Sequence, residues 1–329
     1  MRFTRVIAAV AFCLTLGSSV EAQFLDMGVG ARPMGMGRAF VAVADDASAM
    51  YWNAAGISQL RRLEGIVMYA PMYVGLNAKV IDSSNSLTDD GMALAYGAVV
   101  LPTSVVNVGA SVHVFNTFLY NEYRLSLGFA RFLGATVDGT GIGISGKFKL
   151  LGTGIATNQY VSANPFFTAN GTSKQAITAD LGLFFRATER LSFGASWENI
   201  IPADMSLSPT VTENVPFLLR MGAALKWPLN AFDDFRSAID VTIRNNTLNK
   251  QRDVSLAAGA EVTLFQELLA FRSGFNVSPR YLDDGFSFDE LTFGMGYRHT
   301  WFRIDYTMIM ARNLSDTLGT HMFSIGLNR

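Results

Sequence analysis

Two histidines are the first candidates for chemistry in this sequence. His113 lies two residues after Ser111, which would place both side chains on one face of a strand, and His299 directly follows Arg298. Nucleophilic catalysis requires a nucleophile beside a base that a third group orients. Neither histidine has a serine or aspartate at a spacing that completes such a set. We therefore predict structural roles for both histidines and no enzymatic activity.

Acidic pairs and a glycine-rich stretch are the remaining candidates for a ligand site. Asp45-Asp46 and Asp283-Asp284 would supply oxygens to a calcium ion, but such an ion takes about six to eight of them. The glycines of residues 28–37 have no preceding strand and no following Lys-Ser/Thr pair, both of which a phosphate-binding loop needs. The histidines also lack metal-ligand spacing. We expect no metal and no other cofactor.

The composition excludes two classes of protein. The formal charge is −1, charged residues make up 16% of the chain and hydrophobic residues 50%. A nucleic-acid-binding protein needs a basic surface, and a disordered chain is poor in apolar residues, so neither class fits. The single cysteine, Cys13, lies near the N-terminus. Later residues therefore offer no thiol for a disulfide or a zinc site.

The N-terminal residues have the three parts of a secretory signal peptide. Arg2 and Arg5 form the basic region, residues 6–16 the apolar region, and Val20-Glu21-Ala22 a cleavage site of the A-x-A type. The apolar region is too short to span a bilayer as a helix. We predict that residues 1–22 are removed on export.

Most of the remaining chain alternates between apolar and polar or small residues. Along residues 291–298 the apolar side chains occupy the odd positions, and Thr292, Gly294, Gly296 and Arg298 the even ones. Strand side chains point alternately to two faces, so each strand has one apolar face. No later stretch reaches about 18 uninterrupted apolar residues, the minimum for a transmembrane helix. The pattern indicates a membrane-spanning β-barrel.

This alternation predicts fourteen antiparallel strands of about ten residues, the length that a tilted strand needs to cross a bilayer. They are residues 64–81, 91–101, 105–116, 123–129, 141–150, 178–187, 191–199, 217–227, 235–244, 254–264, 268–277, 291–298, 302–308 and 320–328. An even strand number is typical of a bacterial barrel. The predicted fold class is all-β, a transmembrane antiparallel up-and-down barrel in the outer membrane of a Gram-negative-type bacterium.

The lengths of the connections predict the orientation. Short turns at 102–104, 188–190, 266–267 and near Thr300 alternate with long loops at 152–176, 201–216 and 278–290. Bacterial barrels have short periplasmic turns and longer extracellular loops. We therefore expect both termini in the periplasm, with outer-membrane lipid and the barrel-assembly machinery as partners.

The polar faces of the strands carry an excess of basic residues. By alternation they bear Arg124, Lys147, Lys149, Arg186, Arg220, Lys226, Arg236, Arg244, Arg272, Arg298 and Arg303, and the acidic Asp180, Glu198, Asp240, Glu261 and Asp305. A charge facing lipid at the membrane midplane costs about 2–4 kcal/mol, so this face must line the lumen. The charges either form an ion-pair network that fills the lumen or line a path for anionic or amphipathic solutes.

Residues 23–62, before the strands, are predicted to form a hatch in the lumen or at its mouth, and residues 63–329 the barrel. We expect a tight turn at Gly35 and Gly37 and a short helix around residues 39–50. The candidate gating residues are Gly35, Gly37, Arg38, Asp45, Asp46, Tyr51, Trp52, Asn53 and Gly56. They would hold the hatch to the lumen charges, with Asp45 and Asp46 paired to Arg220, Arg272 or Arg298.

The hatch sequence also carries a family resemblance. Gly-Ala-Arg-Pro-Met-Gly-Met-Gly-Arg-Ala-Phe-Val-Ala-Val-Ala-Asp-Asp-Ala at 30–47, followed by Tyr-Trp-Asn-Ala-Ala-Gly at 51–56, resembles the opening of the PorV/PorQ-like family of FadL-type outer-membrane barrels. Further matching motifs lie at 180–183, 198–199, 215–222, 259–261, 272–274, 305–306 and 318–324. The resemblance implies a fourteen-stranded barrel with its N-terminal segment inside. One departure is the family's Asn-Pro-x-Gly turn, which here lacks its proline at Ala54.

The family implies two functions, and the sequence leaves both open. Some relatives resemble channels for hydrophobic or amphipathic molecules, which the apolar hatch and the apolar loops at 165–167 and 286–288 favour. Others resemble non-transporting accessory or scaffold barrels of type IX-like secretion or surface-attachment systems, and the aromatic loop at 152–176 offers a contact surface for such a partner. The charged lumen argues against transport. We expect a FadL-like channel, with a hydrophobic small molecule or a secretion-system partner as ligand and no nucleic acid.

Overall fold

Fourteen strands of the computed structural model close into one antiparallel barrel. The structure describes residues 24, 26–75, 79–81, 87–89, 91–134, 139–230, 233–245, 252–278, 288–312 and 317–328. The barrel strands are β1 (Glu64–Pro71), β4 (Ala93–Leu101), β5 (Asn107–Asn116), β6 (Tyr120–Gly134), β7 (Gly141–Ile155), β8 (Ser173–Arg186), β9 (Leu191–Glu198), β10 (Leu218–Pro228), β11 (Asp234–Asn245), β12 (Arg252–Leu264), β13 (Leu269–Val277), β14 (Glu290–Arg298), β15 (Phe302–Ala311) and β16 (Thr320–Asn328). Each strand pairs with its neighbour in sequence order, and β1 closes the barrel against β16. The predicted fold class is confirmed.

The barrel has its polar face inside and its apolar face outside. In β7, Ile142, Ile144 and Phe148 are exposed, whereas Lys147 and Lys149 between and beside them are buried. The same arrangement holds around the wall, because strand side chains alternate between the two faces. An apolar outer surface of this extent is stable only against lipid hydrocarbon. No helix in the described part of the chain has the length and apolar character needed to cross a membrane.

Several predicted element bounds were wrong. The predicted strand at 64–81 ends at Pro71, and residues 79–81 belong to β2 (Lys79–Ile81), which pairs only with β3 (Leu87–Asp89) in a separate ribbon. The predicted loop at 152–176 is shorter, because β7 and β8 continue the ladder to Gly154 and Ser173. Alternation cannot mark these ends, since a strand outside the bilayer need not keep an apolar face. The signal peptide at 1–22, Cys13, Asp283 and Asp284 lie outside the described residues.

The N-terminal segment lies within the barrel. It contains the short helices α1 (Ala31–Gly35) and α2 (Ala49–Trp52) and a 3-10 helix (Ala54–Gln59). Helix α1 packs against β13 to β16, and the 3-10 helix packs against β5 to β8, so the segment crosses from one side of the lumen to the other. Residues 28–58 are buried except for the half-buried Arg38 and Asp45. We call residues 26–62 the hatch.

The predicted helix around residues 39–50 was wrong, since residues 39–48 form turns. The backbone N–H groups of Phe40 and Val41 donate to Asp240 Oδ2 of β11, at 2.6 and 2.8 Å. The hatch backbone also lies directly against the wall: a Cβ at Gly194 would overlap the carbonyl group of Val41. Contacts with the wall therefore override the helix propensity of the alanines in this stretch.

Candidate functional site

Arg32 is the centre of the contacts that hold the hatch to the wall. It is the third residue of the Gly-Ala-Arg-Pro sequence and the second residue of the buried helix α1. Its Nη1 lies 2.5 Å from Asp45 Oδ1 and 3.0 Å from Asp46 Oδ2, both in the hatch. Its Nε and Nη2 donate to the two carboxylate oxygens of Glu261 on β12, at 2.8 and 2.9 Å. One buried guanidinium thus joins the beginning and the middle of the hatch to the wall.

Three further arginines extend these contacts into a network across β11 to β15. Arg236 lies 2.7 Å from Asp45, and Arg303 lies 3.0 Å from Asp46. Arg272 bridges Glu261 at 2.6 Å and Asp305 at 2.8 Å, and Arg303 also reaches Asp305 at 2.6 Å. We call these residues the Arg32 network: Arg32, Asp45, Asp46, Arg236, Glu261, Arg272, Arg303 and Asp305. Each carboxylate meets at least two cations, which offsets the cost of burying it.

A second cluster holds the other side of the hatch. Arg220 of β10 pairs with Asp26 at 2.7 Å and with Glu198 of β9. Tyr51 donates from its hydroxyl to Asp26 at 2.6 Å, and the Arg220 guanidinium lies over the rings of Tyr51 and Trp52. This arrangement combines an ion pair with cation–π contacts in a dry environment, where both are strong.

Arg38 is the third attachment and has an unusual backbone conformation. Its φ is +76°, in the left-handed region that residues with a side chain seldom adopt. Its guanidinium binds both carboxylate oxygens of Glu290 on β14, at 2.6 and 2.8 Å, and Asp26 O at 2.7 Å. A bidentate ion pair of this kind supplies the energy to hold the strained residue in place.

Glycines let the hatch backbone approach the wall. Gly37 has φ +63°, and a Cβ there would overlap the backbone N of Phe275 on β13. A Cβ at Gly259 would overlap Met36 O, and one at Gly274 would overlap the backbone N of Gly37. A Cβ at Gly35 would stand 2.8 Å from Thr307 Oγ1 and 3.3 Å from the Cα of Gly294. The hatch and β12 to β14 therefore touch backbone to backbone.

Asn53 holds the turn between α2 and the 3-10 helix. Its Nδ2 donates to Val41 O at 3.0 Å and to Leu183 O of β8 at 2.9 Å, and its Oδ1 accepts from Ala55 N at 3.1 Å. Gly56 follows, in contact with the carbonyl group of Ala44. The asparagine thus fixes the turn through side-chain hydrogen bonds in the absence of the proline.

We expect Asn53→Ala to destabilise the folded barrel by about 2 kcal/mol or more, because it removes three hydrogen bonds to backbone groups, two in the hatch and one in β8. Thermal unfolding in detergent measures the loss. Asn164→Ala is the control, since Asn164 caps an exposed loop helix through Phe166 N. An unchanged unfolding temperature for Asn53→Ala would contradict the role given to this side chain.

The hatch carboxylates stay ionised at neutral pH. Burial opposes the ionisation of Asp45, but the guanidinium groups of Arg236 and Arg32 outweigh it and hold its pKa below the ordinary value of 3.8. Burial likewise opposes the ionisation of Asp26, while Arg220 and Arg38 hold its pKa below 3.8. A carboxylate whose pKa is lowered by folding stabilises the folded state at a pH above its pKa in the unfolded chain. This stability is lost as the pH falls toward the pKa of the folded state. Both ion pairs therefore persist over the whole neutral range.

The other predicted lumen residues occupy three settings. Lys147 and Lys149 pair with Asp180 at 2.9 and 2.6 Å, and Lys147 also donates to Met50 O at 2.8 Å. Asp240 accepts the hatch backbone N–H groups. Three arginines lie nearer the ends of the barrel. Arg124 lies 4.0 Å from Glu122, and Arg186 donates to Gln59. Arg298 pairs with Glu267 at 2.5 Å.

The predicted partners of Asp45 and Asp46 were wrong. Neither Arg220, Arg272 nor Arg298 forms an ion pair with them. Their cations are Arg32, Arg236 and Arg303 instead. The sequence reasoning did not single out Arg32 or Asp26, although Arg32 lies within the motif on which the family resemblance rests. Strand alternation identifies wall charges, whereas a charge in the hatch has no periodicity to reveal it.

The end of the lumen next to the long loops is closed by apolar contacts. Phe24 is buried with Leu151, Ala203, Met205 and Val215, which come from β7 and from the loop between β9 and β10. The Arg124 guanidinium lies 5.2 Å from the centre of the Phe24 ring. The loop at 199–217 therefore folds inward over the start of the hatch.

Solved structures share this fold at low sequence identity. The Pseudomonas putida toluene transporter TodX matches with a TM-score of 0.59 and 14% identity, over 92% of this chain and 96% of that one. The Ralstonia pickettii toluene transporter TbuX matches with a TM-score of 0.56 and 12% identity, over 91% and 96%. A Pseudomonas aeruginosa FadL homologue matches with a TM-score of 0.52 and 12% identity, over 89% and 97%.

No protein-family model and no curated protein sequence matches this chain. What establishes the fold is the structural likeness to FadL-type outer-membrane barrels.

Proposed function

We propose that this chain is a FadL-like outer-membrane channel for small hydrophobic or amphipathic molecules, with the hatch as its gate. The observation that carries the proposal is the buried hatch inside a barrel that shares its fold with toluene transporters. A solute would pass between the hatch and the wall after part of the hatch contacts have loosened. Export after removal of residues 1–22, periplasmic termini and assembly by the barrel-assembly machinery belong to the same proposal.

The finer family membership is part of the proposal too. The sequence at 30–56 supports a place in the PorV/PorQ-like group, and the structure gives many of its residues a function in seating the hatch. Arg32, Gly37, Asp45, Asp46 and Asn53 all make buried contacts between the hatch and the wall or within the hatch. A motif with this content suits any barrel that keeps its hatch closed.

One observation favours the alternative function, a non-transporting accessory or scaffold barrel. The hatch is held by buried ion pairs on one side and by cation–π contacts on the other, and moving it would expose several unpaired charges. The long loop between β7 and β8 also presents exposed aromatic residues, Tyr160 and Phe166, to solvent. A protein partner would bind such a surface readily.

Single-channel recording of the full barrel and of a variant without residues 24–56 separates the two functions. A channel with a movable gate gives rare openings in the full barrel and a large, steady conductance in the variant. Uptake of an apolar dye into proteoliposomes checks that the opening passes hydrophobic solutes. If the shortened barrel is folded, as judged by its heat-dependent migration in a gel, and still carries no current or dye, transport is refuted and the accessory function stands.

A further inference from the structure

Among the cavities at the end of the barrel with the short turns, two meet at Asp45 and Gln59 of the hatch. One has a volume of about 480 Å³ and is lined by the turn after β8 and by the adjoining ends of β9 to β11, and the other, of about 320 Å³, lies against β1 and β14 to β16. Asp45 and Gln59 line both cavities. Together they form a depression that spans the mouth on both sides of the point where the hatch leaves the lumen. We call it the vestibule.

The vestibule is basic. Its lining contains nine lysines and arginines but only four aspartates and glutamates. The opposite end of the lumen has the reverse balance: the cavity of about 220 Å³ there is lined by Asp26, Asp253, Asp289 and Glu290 and by only two arginines. The lumen is therefore polarised along its axis, although the whole chain carries a formal charge of −1. An anion approaching the short-turn mouth meets an attractive field.

Several of the vestibule cations are already neutralised within the protein. Arg32, Arg236 and Arg303 belong to the Arg32 network, and Lys226 pairs with Asp234 at 2.6 Å. Arg62 and Arg190 differ: both are exposed, and within the described part of the chain neither has an acidic partner. They lie in different cavities, on opposite sides of Asp45 and Gln59. The available positive charge is thus divided across the mouth.

This division favours an extended anion over a small one. A single phosphate or carboxylate group is bound by cations that converge on one point. Here the two available guanidinium groups lie in separate cavities, each with apolar neighbours, such as Leu191 and Leu225 in one and Phe302 in the other. A polypeptide ligand with several carboxylates, separated by a stretch that crosses the apolar neighbours, would fit.

We propose that the vestibule binds an acidic polypeptide segment of a partner protein at the short-turn mouth of the barrel. The segment lies across the mouth, with carboxylates at Arg62 and Arg190. Its binding does not require the hatch to move, because the floor of the vestibule is formed by Asp45 and Gln59 in their observed positions. The proposal therefore holds whether or not the barrel conducts.

Binding of a fluorescent octaglutamate peptide to the full-length protein in detergent tests this proposal. We expect saturable binding at low salt that weakens as salt screens the exposed charges, and no binding of octaglutamine. The double variant Arg62→Glu/Arg190→Glu should bind the peptide about tenfold more weakly, whereas Lys174→Glu, a charge reversal at the opposite end, should bind it as the wild type does. Equal affinity of the double variant and the wild type would overturn the site.

Competition with the bound octaglutamate peptide tests whether the vestibule binds other kinds of anion instead. Inorganic phosphate and vesicles of anionic phospholipid should displace the peptide poorly at matched charge. Displacement by phosphate at matched charge would show a small-anion site, and displacement by the vesicles a lipid site; either result would overturn the proposal. If the double variant unfolds at a lower temperature, Arg62→Gln/Arg190→Gln replaces it, with an intermediate loss of affinity expected.

Discussion

Replacing Arg32 with methionine is expected to cause the largest loss of stability among single substitutions in the hatch. The change leaves Asp46 and Glu261 buried with fewer cations and breaks the link between the hatch and β12. Removing one partner of a buried ion pair costs about 3–5 kcal/mol, and here Asp45, Asp46 and Glu261 each lose one of their cations. We expect a loss of that size in the free energy of unfolding, together with a rise in channel openings as the hatch loosens. Chemical unfolding in detergent and single-channel recording measure the two effects.

The control for this experiment is Arg62→Met, which removes an exposed arginine of the same segment. We expect it to change the free energy of unfolding by less than about 0.5 kcal/mol. A second variant, Arg32→Met with Glu261→Gln, also removes the charge of one carboxylate that has lost a cation. It should recover part of the lost stability if the cost arises from the uncompensated carboxylate. Equal stability of Arg32→Met and Arg62→Met would show that the hatch does not depend on this arginine.

Replacing Gly274 with valine is expected to push the hatch away from the wall. Its Cβ would overlap the backbone of Met36 and Gly37, and backbone atoms cannot turn aside as a flexible side chain does. Inserting carbons into a packed interface costs about 1–3 kcal/mol. The loss here falls on hatch docking, since valine itself favours a strand. We expect a barrel that remains folded and shows a larger and more frequent conductance than the wild type.

Gly146→Val is the matched control, because a Cβ at Gly146 meets no atom within 4 Å. It makes the same chemical change on the lipid-facing side of β7, away from the contact between the hatch and β13. We expect wild-type conductance from this variant. If Gly274→Val also conducts as the wild type does, the backbone contact between the hatch and β13 does not hold the gate.

Sequence alternation was sufficient to predict the barrel but not the hatch. In the wall each side chain points either to lipid or to the lumen, and a charge facing lipid is costly, so Lys147 and Asp180 must point inward. The hatch has no such restriction. Its path depends on contacts with distant strands, such as those of Asp240 with Phe40 and Val41, and local propensity predicted a helix there instead. The number of strands was therefore predictable and the conformation of residues 39–48 was not.

The partners in the ion pairs also could not be predicted from the alternation of the strands. Arg32 is closer in sequence to Asp45 than any wall residue is, yet it pairs with Asp45 and Glu261 together because its side chain also reaches β12. Counting charges on strand faces identified Glu261, Arg272 and Arg303, but it could not identify which of them face the hatch. Which charges pair across the lumen depends on how the closed barrel and the hatch bring distant residues together. The alternation within one strand carries no information about this.

The docking of α1 against the last strands has a consequence for biogenesis. The backbone N–H of Ala31 donates to Ser324 Oγ, 293 residues later in the chain, and β1 is closed by the same C-terminal strand. The hatch is made first but has no complete binding surface until the final strand has been delivered. Contacts of such large sequence separation form slowly. We therefore expect α1 to dock only once the wall has closed, and any delay in this docking would leave an open pore in the membrane during biogenesis.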